Sequence, residues 1–306
     1  MTDDRPIAVT GATGFVGQAV VEEACRRGTA LKALARREQA PCDGVEWVRG
    51  DLADKAALGR LVQGAKAVLH IAGVVNTPDP TGFHLGNVKG TDELVEAARA
   101  AGVQRFVFVS SLAAREPGLS RYGESKHHAE DVVRASGLDW TIVRPPAIYG
   151  PRDREILELF KAARWGVVPM PPPGRASIVH VHDLARLLLD LVPGSAGLSQ
   201  MILEPDDGRP GGWSHRELAQ AIGAAVGRPV WAPATPKPLM RAASWLDCRV
   251  RGNGAKLTTD RVGYMCHPDW VSSPDKAPPA ELWRAEIETR EGLAQTAQWY
   301  RQQGWL

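Results

Sequence analysis

Between residues 6 and 143 short β-branched runs alternate with amphipathic stretches of helical length, the pattern of a parallel sheet covered by helices on both faces. Strands are predicted over 7–10, 31–35, 45–50, 67–71, 105–110 and 140–143. Helices are predicted over about 14–27, 55–63, 87–101 and 122–135, several ending near a glycine such as Gly28, Gly64, Gly102 or Gly137. The class is α/β, a doubly wound parallel sheet. Past Pro145 the composition shifts toward proline and glycine, at 145–146, 169–174, 208–212 and 233–238, around shorter elements. Two stretches there keep a helical period, 182–191 and 214–226, the second opened by Ser214 with Glu217 three residues on, a capping box.

Within that rhythm, Gly11, Gly14 and Gly17 follow the first strand and open the first helix. Glycine at this spacing lets the chain turn tightly, lets backbone approach a pyrophosphate and lets helix and strand pack closely, while the helix N-terminus favours the anion. A dinucleotide site declares its preference at the end of the second strand, where an acid accepts from a ribose 2′-hydroxyl and a base accommodates a 2′-phosphate. Nineteen residues beyond Gly17 stands Arg36, followed by Arg37, with no acid before Glu38. The guanidinium fork matches a phosphate, so NADP(H) is favoured, with NAD(H) as the alternative. The expected organisation is a dinucleotide-binding core over 1–150 and a substrate-binding region over 151–306, with elements at about 176–204 returning to complete the core.

The composition excludes other classes. Lysine plus arginine number 37 against 35 acids, too balanced to mark a nucleic-acid surface. The longest apolar runs, such as 67–75, fall short of the ~18 residues of a membrane span, and no signal stretch opens the chain; the expectation is a cytoplasmic protein. Cys25, Cys42, Cys248 and Cys266 form no C-x-x-C pair and are expected as reduced thiols. His180 and His182 flank Val181 like a pair of ligands, but only Asp183 offers itself as a third, so they are expected as hydrogen-bonded residues at a strand end and no metal site is predicted.

The candidate chemistry lies on the fourth helix. Tyr122 and Lys126 are four residues apart, hence on one helix face. A phenol with a reference pKa near ~10 is a poor acid–base group at neutral pH until a cation stabilises its phenolate, and Lys126 supplies one. Upstream, Ser110 and Ser111 close a strand at the carboxyl edge, where ligands bind in such sheets. Serine, tyrosine and lysine so placed hold a carbonyl oxygen, protonate it and leave its carbon open to hydride. Ser111 is preferred to Ser110, since neighbouring strand residues face opposite ways.

These motifs, with Asp51-Leu52, 70–73, 87–91, 122–126 and 144–151, resemble the short-chain dehydrogenase/reductase superfamily in its extended or atypical branch, over about residues 5–200. The resemblance implies a Rossmann core with Tyr122 as acid/base, Lys126 on the nicotinamide ribose and Ser111 on the substrate oxygen. It further implies cofactor contacts from Gly11, Thr13, Gly14, Phe15, Val16 and Gly17. Asp51 and Leu52 would lie beside the adenine, Ala72 and Gly73 against the cofactor, and Pro145 and Ile148 near the nicotinamide. This chain departs from many sugar-nucleotide members in the short connection from Ser111 to Tyr122, eleven positions.

Substrate class rests on the region after Pro145. Ile156, Leu157, Leu159, Phe160, Trp165, Val167, Val168 and Met170 suit the wall of an apolar ligand or a core. Over 237–251, Leu239, Met240, Ala243, Leu246 and Val250 trace a helical stripe beside Arg241, Arg249 and Arg251, a candidate for peripheral contact at the inner membrane. The C-terminal stretch from Lys256 to Tyr300 is similar to the NADPH-binding accessory subunits of respiratory complex I and, within that neighbourhood, to bacterial ceramide reductases. That likeness implies a lipid-like small-molecule substrate bearing a 3-keto group on a long-chain sphingoid base or ceramide precursor. The alternatives are a nucleotide-sugar epimerase or dehydratase and a non-catalytic NADPH-binding accessory subunit. Oligomeric state is not legible.

Overall fold

The computed structural model describes residues 4–77, 79–195 and 197–306. It contains two compact units, one of residues 1–144 and 184–203, the other of 145–183 and 204–306, so the chain passes between them at Arg144, Asp183 and Leu203.

The first unit carries strands β1 (Ile7–Thr10), β2 (Leu31–Ala35), β3 (Val45–Arg49), β4 (Ala67–His70), β5 (Arg105–Val109) and β6 (Asp139–Val143). Between them run α1 (Phe15–Arg26), α2 (Lys55–Val62), the short α3 (Pro80–Phe83), α4 (Gly90–Ala100) and α5 (Arg121–Ala135). Asp54 accepts from Ala57 N at the head of α2, and Ser120 from Gly123 N at the head of α5, caps worth about 1 kcal/mol each. The helix predicted over 87–101 is composite. A π-helical turn, His84–Lys89, runs into α4, and its wider turn rotates Asn87 inward.

In the second unit β7 (Ala147–Tyr149), α6 (Leu157–Ala163), β8 (Arg175–Ala176) and β9 (Ile178–His180) lead into α7 (Val181–Asp190), whose later turns belong to the first unit. His182 therefore stands on a helix and shares no strand with His180, and its amide donates to His180 Nδ1 at 3.2 Å. Next, β10 (Met201–Leu203) joins the first unit, and the rest of the chain supplies β11 (Trp213–Ser214), α8 (His215–Val226), α9 (Lys237–Arg251), α10 (Thr259–Met265), β12 (Asp269–Trp270) and α11 (Thr289–Gln302).

The large sheet has the order β10-β6-β5-β4-β1-β2-β3, every pair parallel. Strand order reverses between β1 and β4, which makes the carboxyl ends of those two strands the crevice where such sheets bind ligands. β10 completes the sheet because Arg105 reaches the Leu191 carbonyl at 2.7 and 3.0 Å and Thr141 donates to the Leu198 carbonyl at 2.5 Å. The core beneath β1, β4, β5 and β6 holds Leu58, Leu61, Leu94, Phe106, Phe108 and Ile142.

The second unit has its own core of Tyr149, Leu157, Phe160, Val168, Met170, Trp213, Ile222 and Tyr300. Four of the candidate wall residues, Leu157, Phe160, Val168 and Met170, are thus packing residues. Trp165 and Val167 remain exposed. Seven of the ten tryptophans lie beyond residue 200, and several of them pack in this unit. Trp299 and Trp305 pack edge to face with centroids 5.0 Å apart, and the buried Trp283 indole donates to the Asp183 carbonyl at 2.9 Å. The four cysteines are free thiols. Truncating Phe106 to Ala should lower the free energy of unfolding in urea by about 3–5 kcal/mol, because its ring is fully enclosed by the first core.

Candidate active site

The turn after β1 is drawn against the end of β4 as closely as backbone allows. Gly11 has φ +76, and a Cβ there would lie 2.6 Å from the Ala72 nitrogen; at Gly17 a Cβ would lie 2.0 Å from the Gly11 carbonyl oxygen. Only glycine satisfies both positions. α1 starts at Gly14 with no side-chain cap, so its first amides are left for an anion, and Thr13 and Gly14 are exposed while Phe15 and Val16 are half-buried on the first turn. An open cradle at a helix N-terminus and a strand-order reversal fits the pyrophosphate of a dinucleotide.

Around this cradle, Arg36 is exposed on the residue that follows β2. Asp51 is exposed beyond β3, its carboxylate accepting from Ala53 N at 2.9 Å, and Leu52 lies under Gly90 of α4. Gly73 is held beside Lys126, since a Cβ at Gly73 would sit 3.5 Å from Lys126 Nζ and 3.2 Å from Asn87 Oδ1. Pro145 and Ile148 belong to the second unit, Ile148 on β7 opposite Val179.

The position of the β4 loop is set by a buried polar chain. Ala72 N lies 3.3 Å from Thr10 Oγ1, Thr10 Oγ1 lies 2.6 Å from His70 Nδ1, His70 Nε2 lies 2.9 Å from Thr91 Oγ1, and Thr91 donates to the Asn87 carbonyl at 2.5 Å. Because Thr91 spends its proton on Asn87, it must accept from His70 Nε2–H. Nδ1 then accepts from Thr10, whose oxygen accepts from Ala72. Every donor is thereby assigned, and the ring is neutral: burial, assisted by the Lys126 charge, pushes His70 down to about 3. Asn87 extends the frame, accepting from Val74 N at 2.6 Å and donating to Val74 O and Ser125 Oγ at 2.9 Å each.

On α5, Lys126 is fully buried. Its ammonium donates to the Val109 carbonyl at 2.8 Å and lies 4.5 Å from the Phe108 ring centre. Loss of hydration lowers its pKa to about 8, although the Glu130 carboxylate opposes the shift. Tyr122, one turn earlier, is half-buried with Phe83 6.2 Å away between ring centroids. Gly123 lets this end of α5 close on the turn after Ser111, for a Cβ there would meet the Ala113 carbonyl at 2.7 Å.

The two serines differ. Ser110 is buried and donates to Glu130 Oε1 at 2.5 Å, inside a network in which Glu130 also takes two bonds from Arg144, at 2.6 and 2.8 Å, and one from Arg134 at 2.6 Å. Ser111 is half-buried and accepts from Ala113 N at 3.2 Å, which leaves its proton available to a ligand oxygen. Asn87 opens the 87–91 motif, which gave no role for its side chain, and no sequence signal distinguished Glu130; it stands at i+4 from Lys126, and that spacing is the trace it leaves. Among the described residues no group of His, Cys, Asp and Glu is placed to hold a metal ion.

The lysine makes a measurable demand on stability. Unfolded, an ordinary lysine keeps its proton to about 10.4, whereas in the folded chain Lys126 releases it near 8. Between those values the unfolded chain binds more protons, so this group's contribution to stability rises with pH, and the burial penalty is complete below 8. Lys126→Met should therefore be more stable than the parent at pH 7, by about 1–2 kcal/mol, with the difference shrinking toward pH 10. Urea titrations at the two pH values measure it.

A family model described as NAD(P)H-binding matches residues 11–192. The chain is 37% identical over 316 residues to the ceramide reductase of Caulobacter vibrioides (strain NA1000 / CB15N), with 100% of this chain and 98% of that one covered. It is 32% identical over 307 residues to the 2-alkyl-3-oxoalkanoate reductase of Stenotrophomonas maltophilia (strain K279a), covering 87% and 91%. Among solved structures it is similar to gox2253 (TM-score 0.79, 25% identity, 99% and 100% covered) and, in fold, to MoeE5 in complex with UDP-glucose and NAD (TM-score 0.74, 23% identity, 97% and 99% covered). Since the likeness runs the whole length of the chain and not through the glycine turn alone, the protein belongs to the NAD(P)H-binding family within the extended or atypical short-chain dehydrogenases/reductases, and is an NAD(P)-dependent oxidoreductase.

Proposed function

We propose that the protein reduces a ketone to a secondary alcohol with NADPH, and that the ketone is the 3-keto group of a long-chain sphingoid base or ceramide precursor. The observation that carries the chemistry is the buried ammonium of Lys126 one helical turn beyond the half-buried Tyr122. The substrate class is supported by full-length likeness to a protein named ceramide reductase and by a second relative named for a 3-oxoalkanoate.

The residues of the first unit that would hold the cofactor are Gly11, Thr13, Gly14, Phe15, Val16 and Gly17 at the pyrophosphate, Arg36 at a 2′-phosphate, Asp51 and Leu52 at the adenine, and Ala72, Gly73 and Lys126 toward the nicotinamide. Bound there, NADPH supplies a hydride. The Ser111 hydroxyl holds the substrate carbonyl oxygen by donating the proton that its own cap bond leaves unused. Tyr122 donates its phenolic proton to that oxygen as negative charge builds on it, and the Lys126 ammonium makes the resulting phenolate less costly. Val109 O and the Phe108 ring fix that ammonium so that little rearrangement is needed as the charge moves. A keto lipid of this size resides in a bilayer, so the proposal also calls for a surface that meets lipid at the inner membrane, for which 237–251 is the candidate.

Tyr122→Phe should abolish oxidation of NADPH on addition of 3-ketosphinganine or a short-acyl 3-keto-ceramide while leaving NADPH binding intact; undiminished turnover in that variant removes the assignment. A UDP-sugar serves as control, and its conversion in place of the keto lipid would favour an epimerase. Arg36→Glu should shift the ratio of NADPH to NADH affinity by at least about tenfold toward NADH, read by fluorescence titration of each nucleotide. The rate of reduction should fall as pH rises through about 8, where Lys126 loses its proton.

A further inference from the structure

α9 presents the apolar stripe of 237–251 to solvent at every predicted position but Met240, which turns inward. The helix is anchored by Met240 and Ser244, both buried, while Leu239, Trp245, Leu246 and Val250 are 59%, 61%, 56% and 74% exposed. Positions 239, 243, 246 and 250 follow the i, i+4, i+7, i+11 spacing of one helix face, and that face is not the one bearing the anchors. A helix that packs on its own domain turns its stripe inward; this one does the reverse.

The exposed charges of the helix have one sign. Lys237, Arg241, Arg249 and Arg251 are exposed, and Arg249 lies 5.1 Å from the Trp245 ring centre. The single acid of the helix, Asp247, is engaged: it accepts from Lys256 N and Leu257 N at 2.8 and 2.9 Å and pairs with Arg251 at 3.2 Å. The approach to the helix has the same character. Val167 and Trp231 form a parallel bridge, and on that strip Trp165 and Trp231 are 84% and 68% exposed, with Arg164 just before Trp165 and Arg228 three residues before Trp231.

We propose that α9 is a membrane-docking helix that lies in the interface of an anionic bilayer, its Leu239–Val250 face among the acyl chains and its arginines on the lipid phosphates. Tryptophan beside basic residues on a helix with an exposed apolar stripe suits the headgroup level. Charge complementarity selects lipid over a second copy of the chain, because the exposed charges of this helix, Lys237, Arg241, Arg249 and Arg251, are all basic, and a two-fold contact would bring two such helices together. The inference gives the keto-lipid proposal a route for substrate, yet it rests on the helix and not on that proposal.

The test is co-sedimentation of the full chain with vesicles of phosphatidylcholine alone and with about 30% phosphatidylglycerol added, without substrate, so that its failure leaves the reductase assignment untouched. The protein should bind the anionic vesicles, at least about tenfold more weakly after Leu246→Ser or Trp245→Ser, and progressively less as salt rises. Arg241→Gln with Arg249→Gln should weaken binding by a similar factor. All of these positions are exposed, and unchanged NADPH binding verifies that the variants are folded. No binding to anionic vesicles, or equal binding to both compositions, overturns the proposal. So does a concentration-dependent dimer that Leu246→Ser abolishes, since the stripe would then be covered by a second copy.

Discussion

A buried ammonium is the constraint around which the first unit is arranged. Lys126 has lost its water, and the Val109 carbonyl, the face of Phe108 and the nearby Glu130 carboxylate replace it only in part, which is why its pKa falls to about 8. To hold the group there, α5 must close on the end of β5, and Gly123 and Gly73 admit the backbone on either side of it. The surrounding polar groups follow from the same demand. Glu130 takes Ser110, Arg144 and Arg134 as partners and so leaves no unpaired charge beneath the lysine.

A second frame holds the cofactor side. The chain from Ala72 through Thr10, His70 and Thr91 to Asn87 links the ends of β1 and β4 to the π-helical turn. Its members are neutral and every proton is assigned, so it ties these ends together without adding charge to the crevice at the strand-order reversal. The short connection from Ser111 to Tyr122 belongs to this economy. Two 3-10 turns, Leu112–Arg115 and Pro117–Leu119, occupy it and deliver Ser120 as the cap of α5.

The second unit depends on different physics. It has short strands and many loops, and its order comes from aromatic packing and from carboxylates that gather distant donors, Asp183 buried and Asp207 half-buried. Asp183 accepts from the amides of Glu286 and Ile287, and Asp207 from the Trp213 indole and the Thr289 hydroxyl. The Asp183 contacts and that of Asp207 with Thr289 join segments 82 to 104 residues apart, and no local pattern announces them. That is why the apolar run of 156–170 read equally as a ligand wall or as core, and why the structure settles Leu157, Phe160, Val168 and Met170 as core.

The sequence alone determined the α/β class, the glycine turn after β1 and the tyrosine–lysine pair on one helix face. Strands Ile7–Thr10 and Leu31–Ala35 match to the residue. These are local properties: a period of two or 3.6, a positive φ, a spacing of four. It also placed the basic apolar stripe of 237–251, since that too is a matter of helical period. Tertiary structure decided which way the stripe faces, that Ser110 is spent on Glu130 while Ser111 keeps a proton to donate, and that Asn87 turns inward from a π-helical turn. Each of those outcomes depends on which distant groups arrive beside a side chain and on how much water they displace. Burial and the pairing of polar groups are properties of the packed chain, and no sequence window contains them.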